Sequence, residues 1–196
     1  MTSISLVRHG ETDWNALEVV QGQMDTPLNE RGIEQAKECA NQLVKTKYDV
    51  LITSPLQRAK QTANIINEKL QIPLIEMEAF VERYYGEAQG MTKRERQAKY
   101  PDKDYPNQET RGALRKRVMA GLNEIIENNQ GKHILLVAHG AVINTILATI
   151  SNGKIGSGKT KLINACISNI TFNQVEWRIQ DYNIVSHLSA YCERSE

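Results

Sequence analysis

Short apolar runs alternate along this chain with longer stretches whose apolar residues recur at helical spacing. Ile4-Ser5-Leu6-Val7-Arg8-His9, Val50-Leu51-Ile52-Thr53 and Ile134-Leu135-Leu136-Val137-Ala138-His139 are rich in Val, Ile and Leu, the composition of strands buried on both faces. Between the first two lies a polar loop, residues 11–28. After it, Asn29 reads as the cap of a helix with the stripe Ile33, Ala36, Ala40, Leu43 and Val44. A second helix, entered just after Pro55, carries Leu56, Ala59, Ala63, Ile66 and Leu70, and a third carries Leu114, Val118, Leu122, Ile125 and Ile126. A fourth is predicted over about 141–150. Ile72-Pro73-Leu74-Ile75 reads as a short edge strand, where proline is tolerated. Residues 167–172 and 175–182 read as two strands joined by Asn173-Gln174, a pair compatible with a tight hairpin that brings one antiparallel member into the sheet.

This order predicts an α/β three-layer sandwich: a mostly parallel sheet of about six strands, one of them antiparallel, with helices on both faces. Residues 82–108 interrupt the alternation. They are rich in charge, Tyr and Gly, contain Pro101 and Pro106, and show little apolar periodicity, so they read as a short lid insertion. No internal repeat or low-complexity segment is evident.

Composition narrows the picture modestly. A chain of 196 residues, 40% hydrophobic, suits one domain spanning 1–196. Its 24 basic and 23 acidic side chains give a formal net charge of +1, which offers no global field for nucleic acid or an anionic membrane but leaves room for small anions held by local charge. Cys39, Cys166 and Cys192 are odd in number and form no CxxC pair, so a reducing compartment is expected. The apolar run at the amino terminus ends at Arg8, and no later run approaches about 18 apolar residues, so a soluble, cytoplasmic protein is expected.

His9 and His139 each close an apolar run and precede a glycine. In α/β proteins ligands collect beyond the carboxyl ends of such strands. The third run leads through Ser54-Pro55 into a helix start bearing Arg58, which faces the same edge. Two imidazoles, the guanidiniums of Arg8 and Arg58, and the N–H groups of nearby turns make a positively biased pocket suited to a phosphoryl group.

The run Leu6-Val7-Arg8-His9-Gly10-Glu11-Thr12-Asp13-Trp14-Asn15 resembles the signature of the histidine phosphatase superfamily, also called phosphoglycerate mutase-like. Gln21-Gly22, Asp25-Thr26-Pro27-Leu28 with Gly32, Thr53-Ser54-Pro55-Leu56-Gln57-Arg58-Ala59 with Gln61-Thr62-Ala63, Glu82-Arg83-Tyr84-Tyr85-Gly86 and Ala138-His139-Gly140 match the family pattern in order. The resemblance implies His9 as nucleophile, forming a phosphohistidine. It implies Arg8, Arg58, His139 and Asn15 as donors to the phosphoryl oxygens, Glu82 as general acid and base, and Gln21, Gly22, Arg83, Tyr85 and Lys93 as further substrate contacts. No metal and no cofactor are implied; the expected partner is a small phosphorylated metabolite. The chemistry agrees, because only neutral imidazole attacks phosphorus and nearby guanidiniums favour the neutral form.

Four other readings compete. Two histidines and several carboxylates could bind a metal, although guanidiniums beside them repel a dication. Gly153-Lys154-Ile155-Gly156-Ser157-Gly158-Lys159-Thr160 satisfies the P-loop pattern, but it follows a predicted helix instead of a strand, and reads as a Gly/Lys surface loop. Lys93-Arg94-Glu95-Arg96 and Arg115-Lys116-Arg117 read as solvated helix faces, the former also able to help dock an acidic substrate; His133 and His187 read as structural. Within the resemblance, Glu82, Arg83, Tyr85, Gly86, Gly90 and Lys93 fit the mutase pattern, whereas residues 105–110 lack the mutases' paired arginines. The shorter chain and the loop 21–25 favour a phosphatase, with a phosphoglycerate mutase and a non-catalytic phosphate binder as alternatives.

Overall fold

The computed structural model describes residues 1–191; Cys192 lies outside the described residues. Six strands form one sheet in the order β3-β2-β4-β1-β5-β6: β1 (Thr2–Arg8), β2 (Val50–Thr53), β3 (Leu74–Glu76), β4 (His133–Ala138), β5 (Ile167–Phe172) and β6 (Trp177–Ile184). The pairs β1–β4, β2–β4 and β2–β3 are parallel, and β5 runs antiparallel to both β1 and β6. The predicted single antiparallel member is therefore β5.

The period-two alternation of each strand sends its side chains to opposite faces. Ile4 and Leu6 of β1, Val50 and Ile52 of β2, and Ile134 and Leu136 of β4 join one core, closed by α5 (Arg111–Asn128) and α6 (Gly140–Ile150). Val7, Leu51, Leu135 and Val137 join the other, closed by α2 (Glu30–Leu43) and α3 (Gln57–Leu70). Both faces are covered, which is why the central runs are mostly apolar; Ser5, the polar residue within the first, is buried and bonded to Asn169 and Tyr48. Edge strand β6 does alternate along its length, with one face half-buried and the other exposed.

Several boundaries differ from the sequence reading. Asn29 caps α2 through Gly32 N–H, but Ile33 and Val44 are exposed; Gln35 and Cys39 turn inward instead, so the buried stripe is rotated by about one residue. The last hairpin turns over residues 173–176, where Asn173 Oδ1 accepts from Val175 and Glu176 N–H in an Asx-type turn, and β6 starts two residues later than predicted. The loop 11–28 contains α1 (Asp13–Ala16), and the insertion contains α4 (Lys93–Lys99). Each opens with a reciprocal capping box, Thr12 with Asn15 and Thr92 with Glu95. Among the described residues, no helix is long and apolar enough to cross a membrane.

Candidate active site

Strand register brings the two histidines together. Arg8 pairs with Ala138 across β1 and β4, His9 N–H donates to Ala138 C=O at 3.0 Å, and the His9 and His139 ring centroids lie 5.2 Å apart. Ser54, just past the end of β2, donates its N–H to Val137 C=O and delivers its hydroxyl to His139 Nε2 at 2.8 Å. Three strand ends thus converge on one point, where His139 is also the N-cap of α6.

His9 Nδ1 lies 2.7 Å from Gly10 C=O, so the ring carries its proton there and its Nε2 lone pair remains available. The glycine is required because a Cβ at Gly10 would strike the Gly32 carbonyl, and one at Gly32 would strike the Glu11 carbonyl. The β1–α1 loop and α2 therefore approach through bare backbone.

Both arginines are anchored by one edge only. Arg8 Nη1 donates to Leu162 C=O at 2.5 Å; Arg58, 1% exposed, donates through Nη1 to Met24 C=O at 2.9 Å and through Nη2 to Gly22 C=O at 2.7 Å. Arg8 Nε, Arg58 Nε and His139 Nδ1 are buried without a hydrogen-bond partner. A buried donor left unmade costs about 1–3 kcal/mol, so the two unpartnered guanidinium N–H groups beside His9 mark a place where an anion completes the bonding. Burial, then the charges of Arg58 and Arg8, hold the His9 pKa well below its ordinary value, and burial with Arg58, His9 and Arg8 does the same for His139. Burial also lowers Arg58 to about 10, against the opposing charges of Glu82 and Asp25.

The remaining predicted residues divide. Glu82 Oε1 accepts from Arg83 N–H at 2.8 Å and Oε2 from Ala141 N–H at 3.1 Å, which sets the carboxylate at the amino end of α6; a Cβ on Gly140 would lie 3.6 Å from Arg8 Nε and 4.0 Å from Glu82 Oε2. Asn15 Oδ1 is occupied by the Thr12 cap and by Asn164 Nδ2, and the residue lines a cavity with Arg8. Gly22 contributes its carbonyl to Arg58, and Gln21 Oε1 accepts from Thr26. Tyr85 lines the chamber over Arg8 and Glu82, while exposed Lys93 lines a neighbouring cavity beside Asn15. Arg83 is not brought to the histidines: it bonds Glu109 C=O and Gln108 Oε1, and lines a different cavity.

Other residues escaped the sequence reading. Arg117 is no solvated helix residue. It grips Glu109 with two bonds of 2.7 and 2.9 Å and donates to the carbonyls of Ala79, Val81 and Glu82, fastening the Glu82 segment to α5. Asn164 donates to His9 and Gly10 carbonyls and to Asn15. The segment 153–160 is a succession of turns after α6, without the strand and helix of a P-loop, yet its end walls the chamber through Lys159 and Thr160. A local run of charge carries no sign of such long-range partners, and Arg117 and Asn164 fall in none of the recognised motifs.

Two buried, neutral imidazoles framed by guanidiniums and a carboxylate at the carboxyl edge of a parallel sheet define a phosphoryl-transfer site. The description "Histidine phosphatase superfamily (branch 1)" matches residues 4–185. The "Uncharacterized phosphatase PhoE" of Bacillus subtilis (strain 168) is 50% identical over 97% of this chain and 99% of its own, and the "Metal-independent phosphoserine phosphatase" of Arabidopsis thaliana is 35% identical over 97% and 84%. A phosphoserine phosphatase from Entamoeba histolytica, solved as a mutant in complex with phosphoserine, superposes with a TM-score of 0.83 at 29% identity, covering 96% of this chain and 100% of its own. The chain belongs to the histidine phosphatase superfamily. Its activity within that superfamily is that of a phosphatase, a phosphoric monoester hydrolase.

Proposed function

We propose that the protein hydrolyses small phosphomonoesters without a metal, through a phosphohistidine on His9. The observation that carries this reading is the set of three buried, unpartnered nitrogens, Arg8 Nε, Arg58 Nε and His139 Nδ1, around an imidazole whose Nδ1 is already bonded. His9 Nε2 attacks phosphorus, the bond to the ester oxygen breaks, and Glu82 gives its proton to the departing alkoxide. Water then attacks the phosphohistidine, Glu82 takes back a proton, and inorganic phosphate leaves with His9 restored.

Charge on the transferring oxygens is met by Arg8, Arg58 and the Asn15 amide. His139 adds a donor if its single ring proton sits on Nδ1, which requires Ser54 Oγ–H to donate to Nε2; Leu56 N–H, 3.3 Å from Ser54 Oγ, helps orient that hydroxyl. The lowered pKa of His139 keeps the ring neutral, with a single proton for its two nitrogens. Arg83 lines the larger neighbouring cavity and not the chamber over Arg8 and Glu82, which argues against the mutase reading, in which it would hold phosphoglycerate at the reacting centre.

The test is phosphate release from a panel including phosphoserine and 3-phosphoglycerate, with EDTA present and His9→Ala in parallel. Release by the native protein, with a loss of about 10³-fold or more in the variant, is expected. Conversion of 3-phosphoglycerate to its 2-isomer without net hydrolysis would overturn the assignment, and loss of activity with EDTA would overturn its metal-free form.

A further inference from the structure

The chamber over Arg8 and Glu82, about 590 Å³, shares Tyr85, Ala141, Asn144 and Ser157 with a larger cavity of about 760 Å³ between the 82–108 segment and helices α5 and α6. That volume is in the range of sites for whole small-molecule ligands. Five cations line it, Arg83, Arg96, Lys103, Arg111 and Arg115, against the single acid Asp102. None of the five has a carboxylate at ion-pair distance among the described residues. Two further buried polar atoms without partners, Arg96 Nε and Asn144 Oδ1, belong to residues of the same lining. Asn144 stands where the two cavities meet, so its free acceptor suits a hydroxyl close to the reacting ester. Arg111 and Arg115 sit one turn apart on α5, in the lining of the larger cavity and not of the chamber over Arg8.

We infer that the larger cavity receives the alcohol half of the substrate, and that the substrate is the phosphomonoester of a sugar-sized polyhydroxylated chain with a second anionic group at its far end. The inference rests on the phosphatase reading of the site. The phosphoryl group occupies the histidine pocket, a nearby hydroxyl meets Asn144, and the second anion, a carboxylate or phosphate, meets the uncompensated cations. A three-carbon ester would leave most of the cavity and its charge unused. Arg83, whose guanidinium also lies 5.2 Å from the Tyr85 ring centre, forms part of this wall.

Three open-chain substrates separate the contributions: glucitol 6-phosphate, 6-phosphogluconate with a terminal carboxylate, and glucitol 1,6-bisphosphate with a terminal phosphate. The expected kcat/KM exceeds that of glucitol 6-phosphate by about tenfold or more for at least one of the doubly anionic esters, the size of one charge-assisted contact. Which ester gains identifies the anion. In the double variant Arg111→Gln/Arg115→Gln, which alters two exposed side chains, that ratio falls toward one, mainly through KM. A ratio near one in the native protein, or one unchanged in the variant, overturns the inference. Titration calorimetry of the same esters into His9→Ala, with and without the α5 substitutions, reads the ratio as affinity. If no ester is turned over, that failure counts against the phosphatase reading, and calorimetry still decides the inference.

Discussion

His9 and His139 are buried as bases, and the charges beside them are cationic, so protonation of either opposes the fold. Their folded pKa values lie well below 6.5, and those of half-buried His133 and His187 are lowered too, by burial first. In the unfolded chain each takes up a proton near pH 6.5 while the folded protein does not. Stability is therefore full above about pH 6.5 and falls as pH drops toward the folded values, by up to about 1.4 kcal/mol per pH unit for each histidine. Urea midpoints measured from pH 7.5 to 5 should show this decline, and His139→Gln should reduce its slope by about one proton; an unchanged slope would sink the account. At this scale the sequence was informative about the histidine pocket, because Arg8, His9, Arg58 and His139 each stand at the end of a strand or the start of a helix. It was silent on Arg117 and Asn164, whose partners lie in segments remote in sequence or hidden in ordinary charge and loop patterns.

Helix α5 shows what an element does beyond filling a core. Its buried face, Leu114, Val118, Leu122 and Ile125, was readable from spacing, with Gly121 fitting beneath Ala79 and Phe80. The neighbouring face carries Arg117, which ties Glu109 and three carbonyls into one knot around the Glu82 segment. Arg117→Met should cost about 2–4 kcal/mol, since it strands a carboxylate of low exposure. It should also lower kcat by roughly tenfold while KM changes less, because Glu82, the proposed general acid, is displaced and the phosphoryl pocket is not. Arg117→Lys should recover little, since one ammonium cannot replace a two-pronged grip. Equal loss in kcat and in stability-corrected KM would mean that Arg117 acts through folding alone. The amphipathic spacing that reveals a helix contains no mark for such a role, and it also misplaced the α2 stripe, where small Cys39 and polar Gln35 turn inward in place of Ile33 and Val44.

At the scale of the whole molecule, layers and strand order were legible because central strands sheathed on both faces are mostly apolar, their few polar residues, such as Ser5, being buried with hydrogen-bond partners. Loop contents were not, because turns and caps are decided by hydrogen bonds that leave weak periodic traces. The folded protein carries unmet donors, so an anion that meets them should raise its stability. Inorganic phosphate at about 100 times its dissociation constant should add about 2.7 kcal/mol, or roughly 5–10 °C in melting temperature for a chain of this size. Arg58→Gln should abolish most of that rise, and an equal rise in both proteins would place the anion elsewhere.

Strand β1 lies between β4 and β5, which are both made far later in the chain. During synthesis its Ile4-Ser5-Leu6-Val7 run has no hydrogen-bonding neighbour until residues 133–172 have emerged. A nascent chain thus holds a bare, apolar strand with two unpaired edges through most of its translation, a species open to aggregation and to chaperone capture. The same order means that no truncated product ending before residue 139 can assemble the histidine pair, which forms only once β4 has paired with β1.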